Sequence, residues 1–167
     1  WVLAQLLWNP YQDDSKLIDE FLDGYYGKPA GRIIREYMEL MATNAKGFYM
    51  GCFNTPRANP PYLKFEVLSQ AEALWQKAEE AAKGDPDRLW HVKQGHLAPR
   101  YAFLACWTQL RRECLAAGGK WPLPLSRKTV AEEWLANATG PGPAGWEPMI
   151  RSNERGQTPQ AFFETVN

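Results

Sequence analysis

The chain has 167 residues, 19 Lys and Arg against 19 Asp and Glu, and a formal net charge of zero. That length suits one domain with a real core, burying roughly 70% of the surface of its unfolded form. The balanced, interspersed charge gives no electrostatic footprint for nucleic acid or an anionic membrane, and no apolar run reaches the roughly 20 residues that span a bilayer.

The opening Trp1 to Trp8 is apolar around nearly the whole helix it would form, and Asn9-Pro10 ends it. Such a helix suits burial against a larger body. Trp1 is preceded by no initiator Met, charged n-region or cleavage site, so the sequence reads as a piece of something longer. Asp13 and Asp14 are N-cap candidates for a second helix, whose Leu17, Ile18, Phe21, Leu22 and Tyr25 fall on one face. Gly24 and Gly27 supply its stop, and Pro29 opens a third helix carrying Ile33, Ile34, Tyr37, Met38, Met41 and Ala45 towards Gly47.

Phe48 to Tyr62 lacks helical periodicity but holds Gly51, Pro56, Pro60 and Pro61 together with Phe48, Tyr49, Phe53 and Tyr62, and is expected to be a long aromatic loop. A helical stripe follows in Leu68, Ala71, Leu74, Trp75, Ala78 and Ala82, with Glu72, Gln76, Glu79 and Lys83 assigned to the opposite, polar face. Gly84-Asp85-Pro86 restarts the chain as the longest helix, running towards Gly118-Gly119 and predicted to kink or divide at Pro99. Thr129 to Glu132 reads as a capping box ahead of Val130, Trp134 and Leu135. Gly140 to Gly145 is a connector, after which Thr158-Pro159 starts a last turn or two anchored by Phe162, Phe163 and Val166. The expectation is an all-α chain, an irregular bundle of about six helices over residues 1–139, with residues 140–167 as connector and helical tail packing on it.

Little in this pattern carries chemistry. His91 and His96 are the only histidines, and five-residue spacing does not place them on the shared face that an i, i+4 zinc pair needs. The paired acids Asp19, Glu20 and Asp23, then Glu36 and Glu39, then Glu132 and Glu133, lie on polar helix faces and read as solvated rather than as the two carboxylates of a glycosidase. No serine sits in a nucleophile elbow, no Gly-rich segment resembles a phosphate loop, and Cys52, Cys106 and Cys114 make neither a disulfide scaffold nor a zinc site. On one helix, Cys106 and Cys114 would stand about 12 Å apart, beyond disulfide reach. No catalytic residue, metal or cofactor is expected. The aromatic content is high, with eight Trp and seven Tyr. Trp8, Asn9, Tyr25 and Tyr26 beside the chain breaks, and Tyr49 in the loop, are the residues expected to touch a neighbouring domain or a sugar.

Leu6-Leu7-Trp8-Asn9-Pro10, Leu17-Ile18-Asp19-Glu20-Phe21-Leu22 and Gly24-Tyr25-Tyr26-Gly27 together resemble the end of a bacterial domain-of-unknown-function family found in glycoside-hydrolase-like proteins. The similarity continues through Ile34-Arg35-Glu36-Tyr37, Ala71 to Ala82, Leu97-Ala98-Pro99-Arg100-Tyr101 and Glu154-Arg155-Gly156. The resemblance implies a preceding TIM-type barrel similar to those of α-glucuronidases and hexosaminidases, with helices such as these packed behind it. Barrel active sites lie at the C-terminal ends of the strands, so the catalytic carboxylates would lie upstream of Trp1. The expected role is a non-catalytic C-terminal accessory domain of a secreted or periplasmic carbohydrate-active protein. Its partners would be the upstream barrel and, at the sugar site, carbohydrate, with dimerisation through the first helix wherever the barrel leaves it bare. The rival reading is a free-standing helical scaffold or protein-interaction module.

Overall fold

The computed structural model describes residues 1–48, 60–152 and 156–166, without the side chain of Ala144. Among these residues the structure is all-helical and contains no strand, with eight α-helices and two short 3-10 turns at Pro61–Leu63 and Pro143–Gly145. The helices are α1 (Val2–Trp8), α2 (Asp14–Tyr26), α3 (Lys28–Ala45), α4 (Phe65–Ala82), α5 (Pro86–Ala105), α6 (Trp107–Ala116), α7 (Arg127–Thr139) and α8 (Pro159–Val166). Most of the long aromatic loop, with Tyr49 and Cys52, falls in residues 49–59 and lies outside the described residues; at its ends Phe48 meets Tyr62 edge-on at 5.7 Å.

The boundaries follow local chemistry. Asp13 caps α2 by accepting from the Lys16 N–H, Asp85 caps α5 by accepting from Arg88 N–H, and Thr158 caps α8 by accepting from Ala161 N–H. Gly27, at φ 82°, turns the chain between α2 and α3 in a conformation that a side chain would oppose. Gly24, read as part of the stop, lies within α2, and α3 begins at Lys28, one residue before Pro29.

Two expectations are corrected. The cap of α7 is Ser126, whose Oγ accepts from Thr129 N–H at 3.2 Å, so the proposed capping residue Thr129 is already in the first helical turn. Of the kink or division expected at Pro99, the division is the part corrected: α5 runs through Pro99 and the helix divides at Cys106 (φ −104°, ψ 16°). A proline ring presses on the turn before it, and Gly95 is the residue at that i−4 position. At the actual end of α5 the Leu104 carbonyl accepts from Arg127 at 2.7 Å, which satisfies one of the carbonyls that a helix terminus leaves without a partner.

The interior forms two apolar clusters. The first, Leu22, Ala30, Ile34, Trp75, Ala78, Ala82 and Val92, joins α2 and α3 to the C-terminal half of α4 and the start of α5. Its helices approach closely at Gly31, where an added Cβ would stand 2.8 Å from the Leu22 carbonyl oxygen. The second joins the start of α4 to the later part of α5 and to α6, α7 and α8 through Leu68, Phe103, Leu110, Val130, Trp134 and Phe162. Trp121, in the extended Trp121-Pro122-Leu123-Pro124 stretch, stacks on Phe65 at 5.9 Å and meets Trp107 and Phe103 edge-on.

Candidate functional site

Of the residues that the sequence singles out for contact, Tyr25 and Tyr26 end α2 side by side, their rings edge-on at 4.8 Å. They face different surroundings. Tyr25 stacks on His91 at 3.9 Å and on Phe21 at 5.3 Å; His91 in turn stacks on Trp146, which meets Trp90 edge-on at 5.5 Å. With Trp1 tilted against Phe21 at 6.3 Å, these rings form a ladder from α1 across α2 and α5 to the segment after α7. The His91 Nδ1 lies 3.0 Å from the Tyr25 carbonyl, so Nδ1–H donates there and fixes the ring plane on which Tyr25 stacks. Tyr26 turns inward against Trp75, and burial, then the neighbouring Tyr25 and Tyr37, push its hydroxyl up to about 12.

Trp8 and Asn9 lie apart from this ladder at the end of α1. Asn9 Oδ1 accepts from Tyr11 N–H at 3.1 Å, and Gln12 Nε2 donates to the Gln5 carbonyl at 3.0 Å, so a short polar turn holds the helix end. Trp8 projects almost wholly into solvent. Position 49 is outside the described residues.

The strongest electrostatic feature is one that the sequence reading placed on the wrong face. Glu72 is completely buried. Its Oε2 lies 2.8 Å from His96 Nε2, its Oε1 accepts from Arg100 at 2.9 Å, and Gln76 Nε2 donates to the same oxygen at 2.9 Å. The other imidazole nitrogen, Nδ1, lies 2.5 Å from Glu79 Oε1, and Arg100 reaches on to Glu133 of α7 at 3.0 Å. With a carboxylate at each ring nitrogen, His96 donates from both and is held as imidazolium. Burial opposes this charge, yet the hydrogen bonds that Glu72 and Glu79 accept from the ring raise its pKa above the ordinary value. Burial likewise pushes Glu72 up, but the His96 hydrogen bond and the charges of His96 and Arg100 outweigh it and bring its carboxyl down to about 2.

This cluster is tightly packed, with Glu79 and Glu133 at its solvent edge. The cavity beside it, bordered by Lys93, Trp134 and Asn137, encloses about 10 Å³, which is space for a single water and not for a sugar. It stands where the residues of α4 and α5 pass from one apolar cluster to the other, and Trp75 stacks on His96 at 5.7 Å. Its chemistry is that of a fixed ion cluster joining α4, α5 and α7.

The acids weighed as catalytic pairs lie elsewhere. Asp19, Glu20, Glu36, Glu39, Glu132 and Glu133 are exposed and Asp23 is half-buried. Asp19 and Glu39 pair with Arg35 at 3.6 and 3.2 Å beside a mixed-charge cleft between α2 and α3. Among the described residues no group of His, Cys, Asp and Glu is arranged to hold a metal ion, and no helix is long and apolar enough to cross a membrane. Cys106 and Cys114 are both buried, and the Cys114 thiol donates to the Gly119 carbonyl.

Residues 1–39, which carry α1, α2 and the first two-thirds of α3, match a family described as a domain of unknown function, DUF4838. The match contains the three N-terminal motifs and Ile34-Arg35-Glu36-Tyr37. The similarities noted further along, from Ala71 to Gly156, lie beyond it. No curated protein and no solved structure matches the chain.

Proposed function

We propose that the chain is a non-catalytic helical accessory domain that docks through α1 onto another folded body, in the manner of the helices that follow the barrel in glycoside-hydrolase-like proteins. The observation that carries this reading is α1 itself. None of its seven residues is buried, and Leu3, Leu7, Trp8 and the following Tyr11 are 76, 87, 90 and 96% exposed. Residues 1–12 also contain no charged side chain. A helix that is apolar all round belongs inside a larger body, and an exposed apolar patch of this kind marks an interface. The segment lies within residues 1–39, the stretch that matches the family of unknown function.

The carbohydrate context rests on the sequence resemblance, and the barrel would supply the catalytic carboxylates. Among the described residues, the acid cluster around Glu72 is self-satisfied and leaves no room for a sugar. A free-standing interaction module would use the same face on a different partner. Light scattering on the chain and on a Leu7→Ser/Trp8→Ser variant tests the docking surface. Concentration-dependent association that the variant abolishes without loss of helicity is expected. A wild-type chain that remains monomeric at high concentration contradicts it. Assayed against aryl glycosides, the isolated chain is expected to give no turnover, and turnover abolished by replacing one of its own Asp or Glu residues would refute the non-catalytic role.

A further inference from the structure

The aromatic ladder has an exposed apolar group at each end. At one end stand Leu3, Leu7, Trp8 and Tyr11, and at the other Trp146 and Met149 in the segment after α7. Between them Phe21, Tyr25 and His91 are half-buried, so the rings run as an unbroken, partly exposed strip from Trp1 to Trp146. The far end is fixed to the bundle. Gly142 N–H donates to the Trp146 carbonyl at 2.7 Å and closes the turn that carries the indole, and Gly142 lies so close to Trp90 that an added Cβ would stand 2.7 Å from its ring. The Tyr25 hydroxyl donates to Met149 Sδ at 3.7 Å, which seats Met149 on the ladder.

We propose that this strip pairs two copies of the chain about a two-fold axis, with α1 of each copy lying on the Trp146 and Met149 end of the other. The inference rests on the docking role of α1 and names its occupant where no barrel covers it. Area decides between this register and a pairing of α1 against α1. A seven-residue helix is about 10 Å long and about 10–12 Å across, so one of its faces offers far less than the about 800 Å² that each partner gives to a stable pair. The reciprocal register brings α1, the ladder and the far end of each copy into the contact. Its two halves are equivalent under the two-fold axis, so the pair closes on itself and does not grow into a filament. Charge agrees with this. Residues 1–12 carry none, and at the far end Glu147 and Arg151 pair with each other at the exposed rim, where an interface keeps its polar groups.

Native mass spectrometry on two variants and their mixture tests the register. Leu7→Ser/Trp8→Ser spoils the α1 side of both contacts, and Met149→Asp, at an exposed position, puts a charge into the far side of both. Each is expected to weaken the wild-type dimer at least about tenfold, with helicity by circular dichroism unchanged; Met149→Ser serves in place of Met149→Asp should the charge disturb the fold. Mixed in equal amounts, the two variants can form a pair in which one of the two contacts is intact, so a mixed dimer, distinguished by its mass, is expected in excess of either variant's own. A Met149 variant that pairs as tightly as the wild type would overturn the proposal while leaving the α1 docking face in place. Absence of the mixed dimer, or assembly that grows past the dimer, would overturn it in the same way. A wild-type chain that stays monomeric at high concentration would overturn both readings.

Discussion

Removing the Glu72 carboxylate leaves His96 and Arg100 with buried positive charge and one counter-ion fewer, whereas removing Glu133 takes away a half-exposed partner of Arg100 alone. Glu72→Ala is therefore expected to destabilise the fold by about 3–5 kcal/mol, the usual cost of breaking a buried pair from one side. Glu133→Ala should cost below about 1 kcal/mol. Thermal or urea unfolding of the two variants distinguishes them, and equal losses would show that the cluster is not the interior anchor described above. The same residues set a pH profile. Glu72 is brought down to about 2 from 4.5, so its contribution is complete above 4.5 and is lost as pH falls towards about 2. His96 is raised above 6.5, so its contribution is complete below 6.5 and is lost as pH rises through its folded value. Unfolding free energy measured across pH should show both limbs, and His96→Gln should remove the alkaline one.

The helices themselves differ in how much room they leave for change. At Gly31, a Cβ would meet the Leu22 backbone carbonyl at 2.8 Å, and backbone cannot swing aside as a flexible side chain can, so Gly31→Ala is expected to cost about 1–3 kcal/mol. Gly24, inside α2 with nothing within 4 Å of its added Cβ, is the contrast: Gly24→Ala should stabilise by up to about 1 kcal/mol. Calorimetry on the pair gives opposite signs if the helix positions are right. Most elements were legible because Asp13, Asp85 and Thr158 announce their helices by hydrogen bonds made within three residues. Ser126 is a cap of the same kind, but the Thr129–Glu132 pattern competed with it. The division at Cys106 was hidden because no Gly or Pro marks it, and the Arg127 contact with the Leu104 carbonyl beside it comes from 23 residues away. Glu72 was misplaced for a more instructive reason. Phe65, Leu68, Glu72, Trp75, Glu79 and Ala82 form an unbroken i, i+3, i+4 series, so both acids fall on the stripe, Glu72 in the core and Glu79 at its edge. Reading charged residues as solvent-facing by type set that spacing aside, and the matching signal on α5 was His96 and Arg100 at i, i+4.

For the whole molecule, two apolar clusters meet across one ion cluster, an aromatic ladder runs along one side, and α1 rests on α2 without being buried by it. A seven-residue helix is too short to be stable alone in water, so α1 depends on what covers it. The ladder supplies one attachment, through Trp1 on Phe21, and leaves Leu3, Leu7 and Trp8 exposed. Amide hydrogen exchange over residues 2–8 measures this directly. In dilute solution α1 is expected to exchange nearly as fast as an unfolded segment while α4 stays protected, and its exchange should slow as protein concentration rises and the bare faces meet. Protection of residues 2–8 equal to that of α4 in the dilute monomer would show that the chain covers its own first helix, and would contradict the docking role.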